Sequence, residues 1–211
     1  MERGNRIELS ALAWKAKVLP LYEPRINTIY MTNCFDINLS LNPLKEDIDI
    51  KSYGPDRHTR IPISDINPNL ISLIDRLDLK VILAELFYTK PHTITGIHID
   101  VVGGDYTKLN YIFDGKDSLM MWYKPKDNIV KSISKTPINT RYISYALHEV
   151  EITDKQSVKF PSIIQAGIPH NVINYSEPRW CLSIVLVKQN GERLTMKESI
   201  CIFNKYVEVS L

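Results

Sequence analysis

The chain is poor in the features that mark the commonest activities. Its 211 residues hold only eight glycines, with no glycine-rich phosphate loop and no Gly-x-Ser-x-Gly elbow. That counts against the common nucleotide-binding and hydrolase signatures. The three cysteines, Cys34, Cys181 and Cys201, are odd in number and widely spaced. They give neither a disulfide framework nor a zinc motif, so a reducing, cytoplasmic compartment is expected. An excess of one charge is also missing: 26 Lys and Arg against 24 Asp and Glu leave a net charge of +2. So small an excess gives no electrostatic footprint for a membrane surface or for nucleic acid, which is not an expected partner. No apolar run reaches the length of a membrane span, and the N-terminus lacks an apolar stretch followed by a small-residue cleavage site. Neither a membrane association nor a secretory leader is therefore expected.

What is present is ordinary globular composition, 44% hydrophobic and 24% charged, without internal repeats. A single domain over residues 1–211 is expected. Residues 1–79, broken by Pro20, Pro24, Pro43, Pro55 and Pro62, read as an N-terminal elaboration of short strands and loops packed on the core. One helix is signalled there: Asn67 can cap, Pro68 suits the first helical position, and Leu70, Ile71, Ile74 and Leu77 share a face. From about Lys80 the pattern becomes strand-like, over 81–88, 96–102, 108–113, 119–123, 141–152, 162–165, 171–174 and 180–187, with 199–207 as a further C-terminal strand or extension within 191–211. Turn residues separate these runs. Short strands at this spacing predict a mainly β fold, an antiparallel sandwich or jelly roll with a few flanking helices and its core over 80–190. A parallel sheet would need long crossovers that this half of the chain does not contain.

The chemistry concentrates in two segments. In Gly96-Ile97-His98-Ile99-Asp100, strand alternation puts His98 and Asp100 on one face and Ile97 and Ile99 on the other, with Val101. An imidazole and a carboxylate two apart, joined by one remote His, can form a facial triad that leaves three sites of an octahedral Fe(II) open. The second segment runs from Gly167-Ile168-Pro169-His170 to Glu177-Pro178-Arg179 and into 180–187. A hairpin there would place His170 and Arg179 on adjacent strands, with Arg179, Cys181 and Ser183 on one face. An inward Arg needs an anion, and its planar fork suits a carboxylate. A dicarboxylate that chelates iron at one end and pairs with Arg179 at the other satisfies both; 2-oxoglutarate is such a molecule.

These motifs together resemble the Fe(II)- and 2-oxoglutarate-dependent dioxygenase superfamily. The wording His170-x-Val172-x-Asn174-x-Ser176-Glu177-Pro178-Arg179-x-x-Leu182-Ser183 is most similar to that of prolyl-hydroxylase-like and phage-encoded members. The resemblance covers about residues 80–190. It implies a double-stranded β-helix, Fe(II) held by His98, Asp100 and His170, and 2-oxoglutarate bound through Arg179. It further implies reaction with O₂, release of succinate and CO₂, and hydroxylation of a C–H bond in a peptidyl or small-molecule substrate. Tyr88, ten residues before His98, stands where some relatives place a tyrosine near the cosubstrate, and Asn110 is a candidate inward contact. Some relatives carry Ser two residues after the Arg; here that position is Cys181, with Ser183 two further on. The retained Asp100 argues against the halogenase variant, in which a small residue stands there.

Simpler readings compete. His148, followed eleven residues later by Lys159, is the rival third ligand, but its strand runs on to Ile152 without a hairpin turn, so His170 is preferred. His58 and His92 read as solvated loop residues, Trp122 and Trp180 as core, and Met120 and Met121 as gap-fillers. A cupin-like metal-binding or sensor protein without oxygenase activity is the alternative, and it has no need of Arg179. An interaction module that binds no metal is the third. Substrate choice is expected to reside in residues 1–75 and loops 103–107 and 124–140.

Overall fold

The computed structural model describes residues 32–54, 58–100, 104–115, 117–127, 129, 133–136, 139, 141–158 and 161–206. The chain divides into two compact units, Met1–Tyr30 and Met31–Leu211. The first unit, the loop glycine at 103, residues 101–102 of the expected 96–102 strand and Lys159 lie outside the described residues, as do much of 124–140 and the expectations placed on them.

The second unit is mainly β. Its strands are β1 (Cys34–Asp36), β2 (His58–Ile61), β3 (Leu79–Thr89), β4 (Thr93–Ile94), β5 (Ile97–Ile99), β6 (Thr107–Phe113), β7 (Leu119–Pro125), β8 (Ser134–Lys135), β9 (Arg141–Tyr145), β10 (Val150–Gln156), β11 (Ser162–Gln165), β12 (His170–Asn174) and β13 (Arg179–Lys188). Among the described residues two α-helices accompany them, α1 (Pro68–Arg76) and α2 (Met196–Phe203). A six-stranded sheet has the order β1-β11-β6-β13-β3-β2, and a seven-stranded sheet the order β10-β7-β12-β5-β9-β8 with β4 also on β12. The pairings are antiparallel.

Alternation divides the six-stranded sheet into an apolar and a polar face. On one face Leu182, Ile184 and Leu186 of β13 join Leu86 and Ala84 of β3 and Leu109 and Tyr111 of β6. These side chains form one buried core with Leu70 and Ile74 of α1 and Phe203 of α2. Each fully buried side chain of this kind contributes about 1.5–3 kcal/mol, so one face suffices to hold the sheet and its helices together. The other face is left for Arg179, Cys181 and Ser183, with Phe87, Glu85, Asn110 and Ile112 as their cross-strand neighbours.

The helix α1 begins as its sequence predicts. Asn67 Oδ1 accepts from the Asn69 amide at 2.9 Å, Pro68 occupies the first turn, and Leu70, Leu73 and Ile74 are buried. Two expectations are corrected. Residues 199–206 do not add a strand: α2 and a 3₁₀ turn (Asn204–Tyr206) take their place, and 207 lies outside the described residues. A capping box starts this helix, in which the Glu198 amide donates to Thr195 Oγ1 at 3.2 Å and the Thr195 amide to Glu198 Oε2 at 2.9 Å. Nor does one strand span 141–152. A 3₁₀ turn over Leu147–Glu149 ends β9 before β10 begins and leaves His148 exposed on the turn.

Candidate metal centre

Register brings the two histidines together. On the seven-stranded sheet β12 pairs with β5 so that His170 lies directly opposite His98. Opposite residues of an antiparallel pair project to the same face with Cβ atoms about 4.5–5.5 Å apart. The two imidazole centroids are 4.7 Å apart. Asp100, one residue beyond the end of β5, completes the group: one ligand atom from each of His98, Asp100 and His170 lies within 4.8 Å of the others.

Both rings are oriented alike. His98 Nδ1 is 2.8 Å from the Gly96 carbonyl and His170 Nδ1 is 2.9 Å from the Ile168 carbonyl. A carbonyl only accepts, so each Nδ1 donates, and each Nε2 is turned toward Asp100. Asp100 Oδ1 is 3.0 Å from His98 Nε2 and 3.9 Å from His170 Nε2. Burial pushes the His170 pKa down to about 4, which keeps this ring neutral and its Nε2 lone pair free. At His98 burial also acts to lower the pKa, but the hydrogen bond and charge of Asp100 outweigh it and the net direction is up. Burial acts to raise the Asp100 pKa, yet the neighbouring Lys108 ammonium and both imidazoles hold it well below the usual carboxylate range. Two imidazole nitrogens and an ionised carboxylate oxygen converging on one point suit a divalent transition metal.

A cavity of about 400 Å³ opens at this centre and is lined from both sheets, by His98, His170 and Met120 on one side and Asn110, Arg179 and Ser183 on the other. Arg179 is only 3% exposed. Its Nε donates to Ser118 Oγ at 3.1 Å, and among the described residues no carboxylate forms an ion pair with it. A buried guanidinium that faces a cavity and has no counter-ion among the described residues is suited to an anionic ligand. Asn110 Oδ1 is buried with no hydrogen-bond partner, so this wall offers an acceptor as well.

Several sequence expectations take a different shape here. His170 and Arg179 are not on paired strands. The chain leaves the seven-stranded sheet after Asn174 and enters the six-stranded sheet at Arg179, so the two residues line the cavity from different sheets. The turn between them is fixed by Asn174 Nδ2, which donates to the carbonyls of Lys90 at 2.9 Å and Glu177 at 2.7 Å. Tyr88 borders the cavity, but it alternates with Phe87 and Thr89 and its ring packs on Trp180, with centroids 4.6 Å apart, on the core face. In the β3–β13 register Arg179 pairs with Thr89, Trp180 with Tyr88 and Cys181 with Phe87. Ser183 and Cys181 both line the cavity, and burial pushes the Cys181 thiol pKa up. All three cysteines are free. Trp122 is fully buried and donates from Nε1 to the Gln165 carbonyl at 2.9 Å. His58 is on β2, not in a loop; its ring stacks on Phe87 at 4.4 Å and its Nε2 meets Glu85 Oε1 at 3.1 Å.

Sequence reasoning missed Lys108 and Glu85. Lys108 Nζ is 2.7 Å from Asp100 Oδ2 and 3.5 Å from Glu85 Oε2. Both side chains are buried, and the signal was available: Glu85 stands amid the apolar residues 81–88, and Lys108 is the one charged residue of β6. Gly115 was missed too. At φ +59 its position would bring a Cβ within 2.5 Å of Arg179 Cβ, so only glycine lets this turn close over the arginine. Among the described residues no helix is long and apolar enough to cross a membrane. No protein-family model and no curated protein matches the sequence.

Proposed function

We propose that the two sheets form a double-stranded β-helix and that the chain is an Fe(II)- and 2-oxoglutarate-dependent oxygenase, hydroxylating a C–H bond of a peptidyl or small-molecule substrate. One observation carries this reading: a His-Asp-His group and a buried arginine that has no carboxylate partner among the described residues share one cavity. A metal-binding protein alone has no use for the second feature.

His98 Nε2, Asp100 Oδ1 and His170 Nε2 are the atoms that would hold the iron. When bound, iron with O₂ supplies the oxidation, in which 2-oxoglutarate becomes succinate and CO₂ and a substrate C–H becomes C–OH. The protein's part is binding and placement. Arg179, steadied by Ser118, pairs with the distal carboxylate, and Asn110 and Ser183 give polar contacts along the same wall. Met120, Ile164 and Val172 line the cavity and limit water there. The test is to incubate the Fe(II)-loaded protein with 2-oxoglutarate and O₂ and to measure succinate. Release in proportion to protein, abolished by Asp100→Ala, is expected. Metal binding without any interaction with 2-oxoglutarate would favour a cupin-like metal protein instead.

A further inference from the structure

We infer that Lys108 is a positioning residue that keeps Asp100 a one-oxygen ligand, leaving room at the metal for a keto acid to bind through two atoms. This rests on the oxygenase reading. Lys108 is 3% exposed and Glu85 1%. Burying an ammonium costs several kcal/mol unless it is well paired, and here the pairing is directional. Lys108 Nζ takes Asp100 Oδ2 at 2.7 Å, whereas it is Oδ1 that lies 3.0 Å from His98 Nε2. One oxygen of the carboxylate thus faces the histidines and the other faces a cation.

The cation is itself held. Glu85 Oε2 is 3.5 Å from Lys108 Nζ, Glu85 Oε1 is 3.1 Å from His58 Nε2, and the His58 ring is stacked on Phe87. The chain His58–Glu85–Lys108–Asp100 therefore links β2, β3 and β6 of one sheet to the carboxylate beyond β5 of the other.

Two imidazoles and one carboxylate oxygen leave three positions on an octahedral ion. A keto acid chelating through carboxylate and keto oxygens takes two and O₂ the third. A carboxylate ligating through both oxygens would remove one of them. Lys108 also sets a positive charge beside a ligand of a dication, which opposes metal binding electrostatically. Its loss has opposite effects on the two ligands: the metal binds as well or better, and the keto acid binds worse. A residue needed only for folding would weaken both.

The experiment compares wild type, Lys108→Met, Lys108→Arg and the charge-balanced Glu85→Gln/Lys108→Met. Mn(II) affinity is measured first, then 2-oxoglutarate affinity at saturating Mn(II). For Lys108→Met we expect Mn(II) binding unchanged or tighter and 2-oxoglutarate binding weaker by about tenfold or more, a typical scale for an outer-shell partner of a metal ligand. Lys108→Arg is expected to recover part of the loss. The inference is overturned if the two affinities fall together, or if 2-oxoglutarate binding is unchanged. If Lys108→Met does not fold, the double variant decides by the same criteria. Failure of both to fold while Lys108→Arg folds would also overturn it, by making the residue a fold requirement. A wild-type protein that binds no metal or no 2-oxoglutarate refutes the oxygenase reading itself. A wild type that binds both, with Lys108→Met indistinguishable from it, refutes only the role of Lys108.

Discussion

Replacing Arg179 with methionine keeps most of the side-chain volume and removes the guanidinium that faces the cavity. In the free protein this change costs one described hydrogen bond, from Nε to Ser118 Oγ at 3.1 Å. In the proposed complex with 2-oxoglutarate it would leave the distal carboxylate in a desolvated pocket without a counter-charge. Truncating one partner of a buried, hydrogen-bonded charge pair costs about 2–5 kcal/mol. At 1.4 kcal/mol per decade, that weakens binding about 30-fold to a few thousand-fold. Arg179 is 3% exposed, so solvent can do little to compensate and the upper half of that range is expected. Arg179→Lys keeps the charge and loses the planar fork, and it should fall between the two. Isothermal titration of the Mn(II)-loaded protein with 2-oxoglutarate measures the loss, and pyruvate, which lacks the distal carboxylate, is the control. Pyruvate affinity and Mn(II) affinity should be the same in wild type and variant. Equal 2-oxoglutarate affinity in wild type and Arg179→Met, with both folded, would refute the reasoning.

Other predictions concern the supports of the centre. Gly115→Ala forces a side chain into the left-handed region at φ +59 and against Arg179. It should destabilise the fold by about 1–3 kcal/mol, read as a lower urea midpoint, and should weaken 2-oxoglutarate more than Mn(II). For the metal-free protein, His170 has a folded pKa of about 4 because burial disfavours its charged form; the unfolded value is about 6.5. Above the unfolded value both states are neutral. As pH falls from there toward the folded value, only the unfolded chain takes up a proton, so stability falls, by about 3 kcal/mol in the limit. His98 works in the opposite sense: its raised pKa gives stability that is complete below the ordinary histidine value and is lost as pH rises through the folded one. Urea midpoints between pH 7 and 4.5 should therefore drop more steeply for wild type than for His170→Gln, and parallel slopes would contradict the assignment.

The sequence was most informative where structure is local. Strand alternation was enough to place His98 and Asp100 on one side, and the Asn67-Pro68 start of α1 needed only neighbouring residues. The meeting of His98 and His170, 72 residues apart in the chain, depends on the register between β5 and β12, which no local pattern encodes. The path after Asn174 was misjudged for a related reason. A polar turn between two strand-like runs suits a hairpin, but it suits equally well a crossing from one sheet to the other, and the choice lies in which face each strand must bury. Glu85 and Lys108 were legible in principle, because a charge buried in a strand demands a partner, but their pairing runs between β3 and β6 and on to Asp100, which no local pattern encodes. The capping box Thr195-x-x-Glu198 is a local signal for the start of α2 and argues against a strand over the apolar residues that follow it.

The most direct measurement is an anaerobic titration of the Fe(II)-loaded protein with 2-oxoglutarate, followed by visible absorption. A metal-to-ligand charge-transfer band that grows to saturation at one 2-oxoglutarate per iron, and is absent in Asp100→Ala, is the predicted result. A protein that takes up one equivalent of Fe(II) yet shows no band at millimolar 2-oxoglutarate would contradict it.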